Sequence, residues 1–277
     1  MNKKQSLFQI ILFGIMLIFA FISIYPLIWV VIQSFKTETE FLSSIWTLPQ
    51  NLRLKNYDYV WNTAGLSRSF MNSIWVTLTT TVLEIAFISL AGFAFAKLRF
   101  KFKKFFYYYI ILNLLIPTPI ILLPMFLMVR NLGIINTLPA LMFPYFQGFA
   151  PLGLIITTNY FESIPDELME AAKLDGCSIF RIFFSVMFPL AKPIAATMAI
   201  LGSMQAWNEY IWALISITDT ARYTLPVGVA TLNDSTSVIG YTPVFAALSI
   251  SSVVIVMIYL VLQKQFVKSI AAGAVKG

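Results

Sequence analysis

Residues 7–32 read LFQIILFGIMLIFAFISIYPLIWVVI, a run of 26 residues without a charge. A helix needs about 20 consecutive apolar residues to cross the hydrocarbon core of a bilayer, so this run is long enough to span a membrane. Lys3 and Lys4 precede it, as in a secretory signal peptide. The apolar part is too long for that role, and no convincing cleavage site of small residues follows Pro26. The run therefore predicts a first transmembrane helix, Leu7–Ile32.

The rest of the chain has the same character. It is 59% hydrophobic and 11% charged, whereas soluble domains average about 45–50% and about 25%. We see no internal repeat, low-complexity tract or soluble domain in the sequence. The sequence therefore predicts an all-α fold, a polytopic membrane helix bundle of six transmembrane helices that forms a single membrane domain over residues 1–277. The five further predicted spans are Ser73–Ala96, Phe105–Val129, Pro139–Asn159, Pro193–Ile215 and Pro243–Leu262.

Two of the five further spans contain prolines well inside their ends. Pro117, Pro119 and Pro124 break the third span near its middle, and Pro144 and Pro151 interrupt the fourth. Discontinuous helices often line transport paths, because their freed backbone groups can face water or substrate. Proline is also common in membrane helices without that role. We expect a kink in the third span, and both interpretations of it stay open.

Basic residues are distributed unevenly between the connecting segments. If the N-terminus lies in the cytoplasm, thirteen Lys and Arg residues fall in cytoplasmic segments and six fall outside. This asymmetry satisfies the positive-inside rule, so we expect both termini in the cytoplasm. The net charge of +7 requires no nucleic-acid partner, because the basic cluster Lys97–Lys104 is explained as an anchor to the inner leaflet.

Several classes of function lack the residues they need. The chain has no His and a single cysteine, Cys177, which excludes imidazole chemistry and an internal disulfide. The sequence contains no phosphate-binding glycine loop, nucleophile elbow or metalloprotease motif. We therefore predict no catalytic activity, no metal site and no cofactor bound by this chain. If ATP drives the protein, another subunit binds the ATP. A scaffold or an intramembrane enzyme is a weaker alternative for the same reason.

Ionisable residues inside a membrane are costly and often mark functional sites. Glu84 falls near the middle of the second span, and Glu209 lies toward the outer end of the fifth, beside Trp207 and Asn208. Polar groups next to aromatic faces suit a sugar, whose hydroxyl groups need hydrogen bonds and whose C–H faces stack on rings. The four residues are therefore candidates for a substrate path. Alternatively, the polar side chains join neighbouring helices, or Glu84 or Glu209 carries a proton in an ion-coupled secondary transporter.

Residues 165–193 lie between two spans and have a helix-turn-helix pattern. Ser163 is predicted to cap the first helix, whose acidic residues lie near its positive end. Ala171 and Ala172 would keep one face small, so that another protein can approach closely. Gly176 permits a turn, after which residues 180–184 lead back into apolar surroundings. This pattern is typical of a docking element at a membrane surface.

The segment Glu170–Pro193 resembles the EAA coupling motif of ABC-importer permeases. It contains Glu-Ala-Ala, then Asp-Gly, then Pro-Leu and Pro after a fixed gap. Cys177, Val186 and Phe188 stand where that family more often has Ala, Ile and Leu. The resemblance implies a coupling helix and turn that lie in a groove of an ATPase subunit, formed by Glu170, Ala171, Ala172, Asp175 and Gly176.

Further stretches resemble the smaller permease subunit of maltose-type carbohydrate importers. They are Ala91–Phe100, Trp207–Tyr210, Tyr223–Gly228 and Phe266–Gly277. The resemblance implies the transmembrane domain of a type I ABC importer that transports a sugar (oligosaccharide); a permease for a non-sugar solute is the alternative. It implies a first helix and outer connection in residues 1–70, a permease core in 71–263 with the coupling helix near 165–176, and a cytoplasmic tail in 264–277.

The same resemblance implies a set of partners in a bacterial cytoplasmic (inner) membrane. A second, different permease subunit would complete the path and make most of the sugar contacts. Two ATPase subunits would bind ATP and Mg, and an extracellular solute-binding protein would deliver the sugar near Arg222–Gly240. The tail residues that would contact the ATPase subunits are Phe266, Lys268, Gly273 and Lys276.

Overall fold

The structure is a computed structural model that describes the backbone of residues 3–274 and the side chains of residues 9–261 and 263. Within residues 3–274 the chain is helical and contains no strand. Short 3₁₀ turns occur at Leu112–Leu115 and Thr220–Arg222, and π turns occur at Tyr59–Thr63 and Phe183–Met187. The α-helices of the described backbone are α1 (Lys3–Ser34), α2 (Glu38–Ser43), α3 (Lys55–Asp58), α4 (Leu66–Lys97), α5 (Lys103–Ile111), α6 (Thr118–Asn131), α7 (Pro139–Glu162), α8 (Glu167–Leu174), α9 (Ile179–Ile182), α10 (Phe188–Leu190), α11 (Lys192–Asn208), α12 (Ile211–Ser216), α13 (Leu225–Asp234), α14 (Thr236–Ile239) and α15 (Thr242–Ala274).

Four helices are long and apolar enough to cross a membrane as single rods: α1, α4, α7 and α15. Two further candidates are bent pairs. The helix axis bends by 110° between Lys103–Leu115 and Thr118–Asn131, and by 77° between Ile179–Leu190 and Lys192–Asn208. With each bent pair counted as one broken span, the described residues form six spans, the predicted number.

The third span is broken rather than kinked, and the local sequence explains why. Pro117 has no backbone N–H, and its ring disfavours a helical conformation at the preceding residue. Ile116 is accordingly extended, with ψ of 114°. Pro119 lies in the first turn of α6, where a missing N–H leaves no helical hydrogen bond unmade. Pro124 lies inside α6 without ending it.

Two other boundaries differ from the sequence-based expectation. Pro144 and Pro151 do not interrupt the fourth span: both are buried within the continuous helix α7, where tertiary packing outweighs local propensity. The fifth span was predicted to continue to Ile215, and this was wrong. Helix α11 ends at Asn208, Glu209 is extended with ψ of 126°, and the short helix α12 follows.

The described chain divides into two compact units. The first contains the chain up to Ser67 together with Gly228–Val254. Within it, the Glu38 carboxylate accepts hydrogen bonds from the backbone N–H groups of Tyr241 (2.9 Å) and Thr242 (3.1 Å), which caps the start of α15. The side chain of Lys36 is fully buried and donates to the Ser44 carbonyl at 3.0 Å. This burial lowers the pKa of Lys36.

The second unit contains Arg68–Val227 and the chain from Ile255 onward. One of its cores, here the Phe93 cluster, lies where α4, α7 and α11 approach the short helices α8 and α9. Phe93 contacts both Phe161 and Phe183 through tilted or edge-on rings, at centroid distances of 5.8 and 5.3 Å. The cluster consists of Phe93, Phe161, Ile164, Met169, Ala172, Ile182, Phe183, Met187, Ala191 and Ile194.

Helices α4 and α7 approach so closely at Gly92 that a side chain there has no room. A Cβ atom at this position would lie 2.6 Å from the Cβ of Thr157 and 3.1 Å from its backbone carbonyl carbon. Gly92→Ala should therefore force the two helices apart and destabilise the protein by about 1–3 kcal/mol, as overpacking usually does. The measurement is the thermal unfolding midpoint of the purified protein in detergent micelles.

Gly14→Ala is the matched control, because Gly14 also lies in a helix and a Cβ there meets nothing within 4 Å. We expect its midpoint to equal or exceed that of the wild type, since Ala favours helix more than Gly does. Equal midpoints for both variants would contradict the close approach at Gly92.

Candidate coupling surface

Helix α8 carries the Glu-Ala-Ala sequence and begins differently from the prediction. Ser163 does not cap it; its hydroxyl donates to the Tyr160 carbonyl at 2.7 Å, and the residue ends α7. Asp166 is the N-cap residue of α8, and its carbonyl accepts from the N–H groups of Met169 and Glu170. Glu167 and Glu170 lie in the first turn, where negative charge stabilises the helix dipole.

The two faces of α8 have different surroundings. Met169 and Ala172 are both 8% exposed and pack into the Phe93 cluster, whereas Glu170 and Ala171 are exposed. The alanines therefore do not share one small outer face, as the sequence suggested. Ala172 instead allows α8 to lie close to the core. The helix is held on its inner face by apolar contacts, and its outer face is exposed.

The turn after α8 sets the direction in which the chain continues toward α9. Gly176 adopts φ of +76°, a left-handed conformation that disfavours residues with a side chain. The N–H of Gly176 donates to the Lys173 carbonyl at 2.9 Å, and the N–H of Cys177 donates to the Ala172 carbonyl at 3.0 Å. This pair of bonds is a Schellman motif, the arrangement that satisfies carbonyls at a helix end. The predicted turn at Gly176 is therefore present in the structure.

A buried lysine fastens the start of α8 to the end of α4. The Lys97 ammonium lies 2.5 Å from Asp166 Oδ1 and 2.5 Å from the Ile164 carbonyl oxygen. The Lys97 side chain is only 5% exposed, whereas that of Asp166 is 70% exposed. The hydrogen bond and charge of Lys97 lower the pKa of Asp166, so the ion pair is present at neutral pH and is lost only as the pH falls below the usual Asp range.

This ion pair corrects the prediction for Lys97, which was assigned to a leaflet anchor. A buried ammonium with two protein partners is not available to lipid headgroups. The sequence offered only a weak signal for the pairing, because Lys97 and Asp166 are 69 positions apart and acidic residues are common near helix starts.

Exposed apolar side chains follow the acidic residues of α8 closely along the chain. Leu174 is 89% exposed and Phe180 is 71% exposed. Ile182 and Phe183 do turn into the core as predicted, but Phe180 and Phe184 do not. Apolar side chains next to Glu170 and Asp175 form a mixed surface of the kind that other proteins bind. We call the exposed residues Glu170, Ala171, Leu174, Asp175 and Phe180 the coupling surface.

The predicted substrate-path residues do not converge on one place. Glu84 is 1% exposed on α4, and a Cβ on Gly202 would clash with its Oε2. Neither of its carboxylate oxygens has a hydrogen-bond partner within the described chain. Trp207 is buried against the edge of Phe70 at 5.9 Å, and the amide of Asn208 donates back to the Met204 carbonyl at 2.8 Å.

Glu209 has a structural role that its sequence position did not reveal. Its carboxylate accepts hydrogen bonds from the Tyr145 hydroxyl (2.9 Å) and from the backbone N–H groups of Trp212 (2.7 Å) and Ala213 (3.1 Å). It therefore caps α12 and ties the break in the fifth span to α7. Glu209 also lines a cavity beside the break in the third span.

The residues predicted to form the tail contacts lie near or beyond the end of the described chain. Phe266, Lys268 and Gly273 lie in α15, whose backbone continues to Ala274. The side chains at these positions, and Lys276 as a whole, lie outside the described residues.

Loss of the lysine at the end of α4 should loosen α8. In Lys97→Met the start of α8 loses its ion pair and the Ile164 carbonyl loses its donor, so we expect several-fold faster amide hydrogen exchange over residues 166–176. Asp166→Asn should accelerate exchange as well, because it leaves a buried ammonium without its counter-charge. Hydrogen exchange followed by mass spectrometry measures both effects.

Lys101→Met is the control for the lost charge, since Lys101 is exposed and lies over the ring of Phe102. We expect exchange in residues 166–176 to match the wild type in this variant. Identical exchange in Lys97→Met and Lys101→Met would show that the ion pair does not hold α8.

Comparison with known proteins agrees with this geometry. Residues 85–272 match the family described as "Binding-protein-dependent transport system inner membrane component". The arabinooligosaccharides transport system permease protein AraQ of Halalkalibacterium halodurans is 35% identical, over 93% of both chains. The trehalose/maltose transport system permease protein MalG of Thermococcus litoralis is 31% identical, over 99% of both chains.

A solved structure shares the fold. A chain from the crystal structure of a bacterial ABC transporter involved in the import of the acidic polysaccharide alginate has a TM-score of 0.82 and 26% identity. The match covers 96% of this chain and 99% of that chain. The all-α fold with six spans is therefore that of an ABC-importer transmembrane domain, and the chain belongs to the family of binding-protein-dependent transport system inner membrane components.

Proposed function

We propose that the chain is the smaller permease subunit of an ATP-driven, binding-protein-dependent importer of sugars (oligosaccharides). Family membership supports the importer, and the names of relatives support the substrate class. These relatives include permeases named for arabinooligosaccharides, for trehalose and maltose, and for diacetylchitobiose, the last being NgcG of Streptomyces coelicolor at 30% identity. A permease for a non-sugar solute remains the alternative within the family.

The observation that carries the mechanism is the two-sided environment of α8. Its inner face is packed into the Phe93 cluster and its start is tied to α4 by Lys97, while its outer face presents Glu170 and Leu174. A partner that binds the outer face and moves would therefore displace α4, α7 and α11 together with α8. ATP-driven closure of two ATPase subunits would supply this motion and switch the path between inward-open and outward-open states.

The remaining assignments follow from this role. ATP and Mg would be bound by the ATPase subunits, and this chain would bind no cofactor and catalyse no reaction. A second, different permease subunit would complete the path, and an extracellular binding protein would contact the segment Arg222–Gly240. The chain would lie in a bacterial cytoplasmic membrane with both termini and α8 on the cytoplasmic side, where the tail residues Phe266, Lys268, Gly273 and Lys276 would reach the ATPase pair.

One observation favours the ion-coupled alternative. Glu84 is buried and its carboxylate has no partner in the described chain, as a proton-carrying group in a transporter can be. That function predicts uptake by this chain alone, abolished by an uncoupler and by Glu84→Gln. The proposed importer predicts uptake that requires the ATPase subunits and ATP.

The decisive experiment reverses the charge at the coupling surface. Glu170→Lys should lose co-purification with the ATPase subunits or lose substrate-stimulated ATPase activity, because breaking a buried charge pair at an interface costs about 2–5 kcal/mol. Leu174→Ser should weaken the same assembly without changing the unfolding midpoint of the isolated chain, since Leu174 is 89% exposed. The measurements are co-purification and ATPase activity in reconstituted membranes.

Asp58→Lys provides the matched charge reversal, at an exposed acidic residue on α3 outside the coupling surface. We expect it to assemble and to stimulate ATPase activity like the wild type. Normal assembly together with full stimulation in Glu170→Lys would refute the coupling role.

A further inference from the structure

The break in the third span leaves a cavity inside the second unit. Ile116 and Pro117 are extended, and the helix axis bends by 110° between Lys103–Leu115 and Thr118–Asn131. A space of about 440 Å³ remains between the break, α7 and the end of α11. This volume lies within the range of about 300–1,000 Å³ that is typical of small-molecule sites. Irregular backbone at membrane depth is tolerated where it lines such a cavity.

The cavity differs from another hollow of this unit by its polar lining. That other hollow, between α4 and α7, is lined almost entirely by apolar side chains such as Leu83, Phe87 and Met142. The lining of the cavity at the break includes polar residues: Asn113, Gln147 and Gln205 with amides, Thr118 and Tyr145 with hydroxyls, and Glu209 with a carboxylate.

Several of these groups have unused hydrogen-bonding capacity. The amide of Gln147 makes no hydrogen bond within the described chain. The nitrogen of the Asn113 amide donates to the Tyr109 and Ile110 carbonyls. The oxygen of the same amide accepts no hydrogen bond among the described residues. The nitrogen of Gln205 reaches the Tyr145 carbonyl at 3.4 Å, and its oxygen is likewise unused there. Amides that can both donate and accept suit hydroxyl groups, which also do both.

The charge in the cavity selects among polar solutes. Glu209 is fixed by three donors, so its position is set before any solute arrives. No Lys or Arg lies among the described residues that line the cavity. A single fixed carboxylate without a cationic neighbour accepts hydrogen bonds from hydroxyl groups but repels a second carboxylate. Tyr145 and Trp212 also border the cavity, but each is only 2% exposed, so the polar side chains offer the accessible contacts.

We propose that this cavity is a binding subsite for one unit of a neutral saccharide, within this chain itself, and that it discriminates against acidic sugars. The inference rests on the proposed importer function but goes beyond it, because the family resemblance assigns most sugar contacts to the larger partner subunit. Gln147 contributes the free amide, Gln205 and Asn113 contribute acceptors, and Glu209 sets the charge selectivity.

A substitution at Gly148 would perturb the same site in a second, independent way. A Cβ at this position would lie 2.6 Å from the amide nitrogen of Gln205, and the remaining contact within 4 Å is another atom of Gln205. Gly148→Ala therefore displaces the Gln205 amide without touching another group. Because Ala also favours the helix, the variant should fold at least as well as the wild type.

The test uses the complete importer in proteoliposomes, with its binding protein loaded to saturation by maltose, arabinotriose or digalacturonate. We expect Gln147→Leu and Gly148→Ala to assemble and to lower the maximal uptake of the neutral sugar that the wild type transports by about tenfold. We expect Glu209→Gln to raise uptake of digalacturonate relative to the neutral sugars. Gln50→Leu, at an exposed glutamine outside the cavity, should transport like the wild type.

The outcomes separate this proposal from the proposed function. Wild-type rates of uptake in both Gln147→Leu and Gly148→Ala would overturn the subsite and leave the importer intact. Failure of the wild-type assembly to take up any saccharide with ATP would instead overturn the sugar-importer function, and the subsite with it. If Gln147→Leu fails to assemble, Gly148→Ala alone decides, since its only steric conflict is with the end of the Gln205 side chain.

Discussion

The structure depends on the way α8 is held against the rest of the second unit. Apolar packing of Met169 and Ala172 positions the helix, but packing alone is non-directional and permits sliding. The Lys97–Asp166 ion pair adds direction, since the ammonium is buried and its two partners flank Pro165 just before the first turn of α8. The exit is set by the Schellman turn at Gly176. The start of α8 is thus fixed by the ion pair, its inner face by apolar packing, and its end by the Schellman turn.

The bilayer imposes a second constraint on the breaks in the spans. A helix end at membrane depth exposes N–H groups that cannot bond to water, and each unsatisfied group is costly. At the start of α12 the Glu209 carboxylate satisfies two of these groups. Its bond to the Tyr145 hydroxyl links the break to α7. The capping requirement therefore also explains why a carboxylate is located in the wall of the cavity.

Much of the fold could be predicted from the sequence because the bilayer demands long apolar runs. The six spans, the break near Pro117 and the turn at Gly176 each follow from a local rule that acts within a few residues. The continuous helix through Pro144 and Pro151 did not follow, since burial against other helices overrides their local effect. The early end of α11 was not predicted, because the Glu209 carboxylate that stabilises the break is bonded to the next turn and to Tyr145, a residue 64 positions away.

In the candidate site, too, features set by nearby residues could be predicted, whereas features set by residues far along the chain could not. The motif located α8 and its exposed acids, but it could not show that Ala171 and Ala172 face opposite environments or that Lys97 is buried. Glu84 and Glu209 looked alike as intramembrane carboxylates, yet their neighbours give them different properties. Glu209 meets three donors and is held in place, whereas Glu84 packs beside Gly202, which offers neither a side-chain donor nor bulk. A carboxylate held by fixed donors can shape a binding site, because its position does not depend on the ligand.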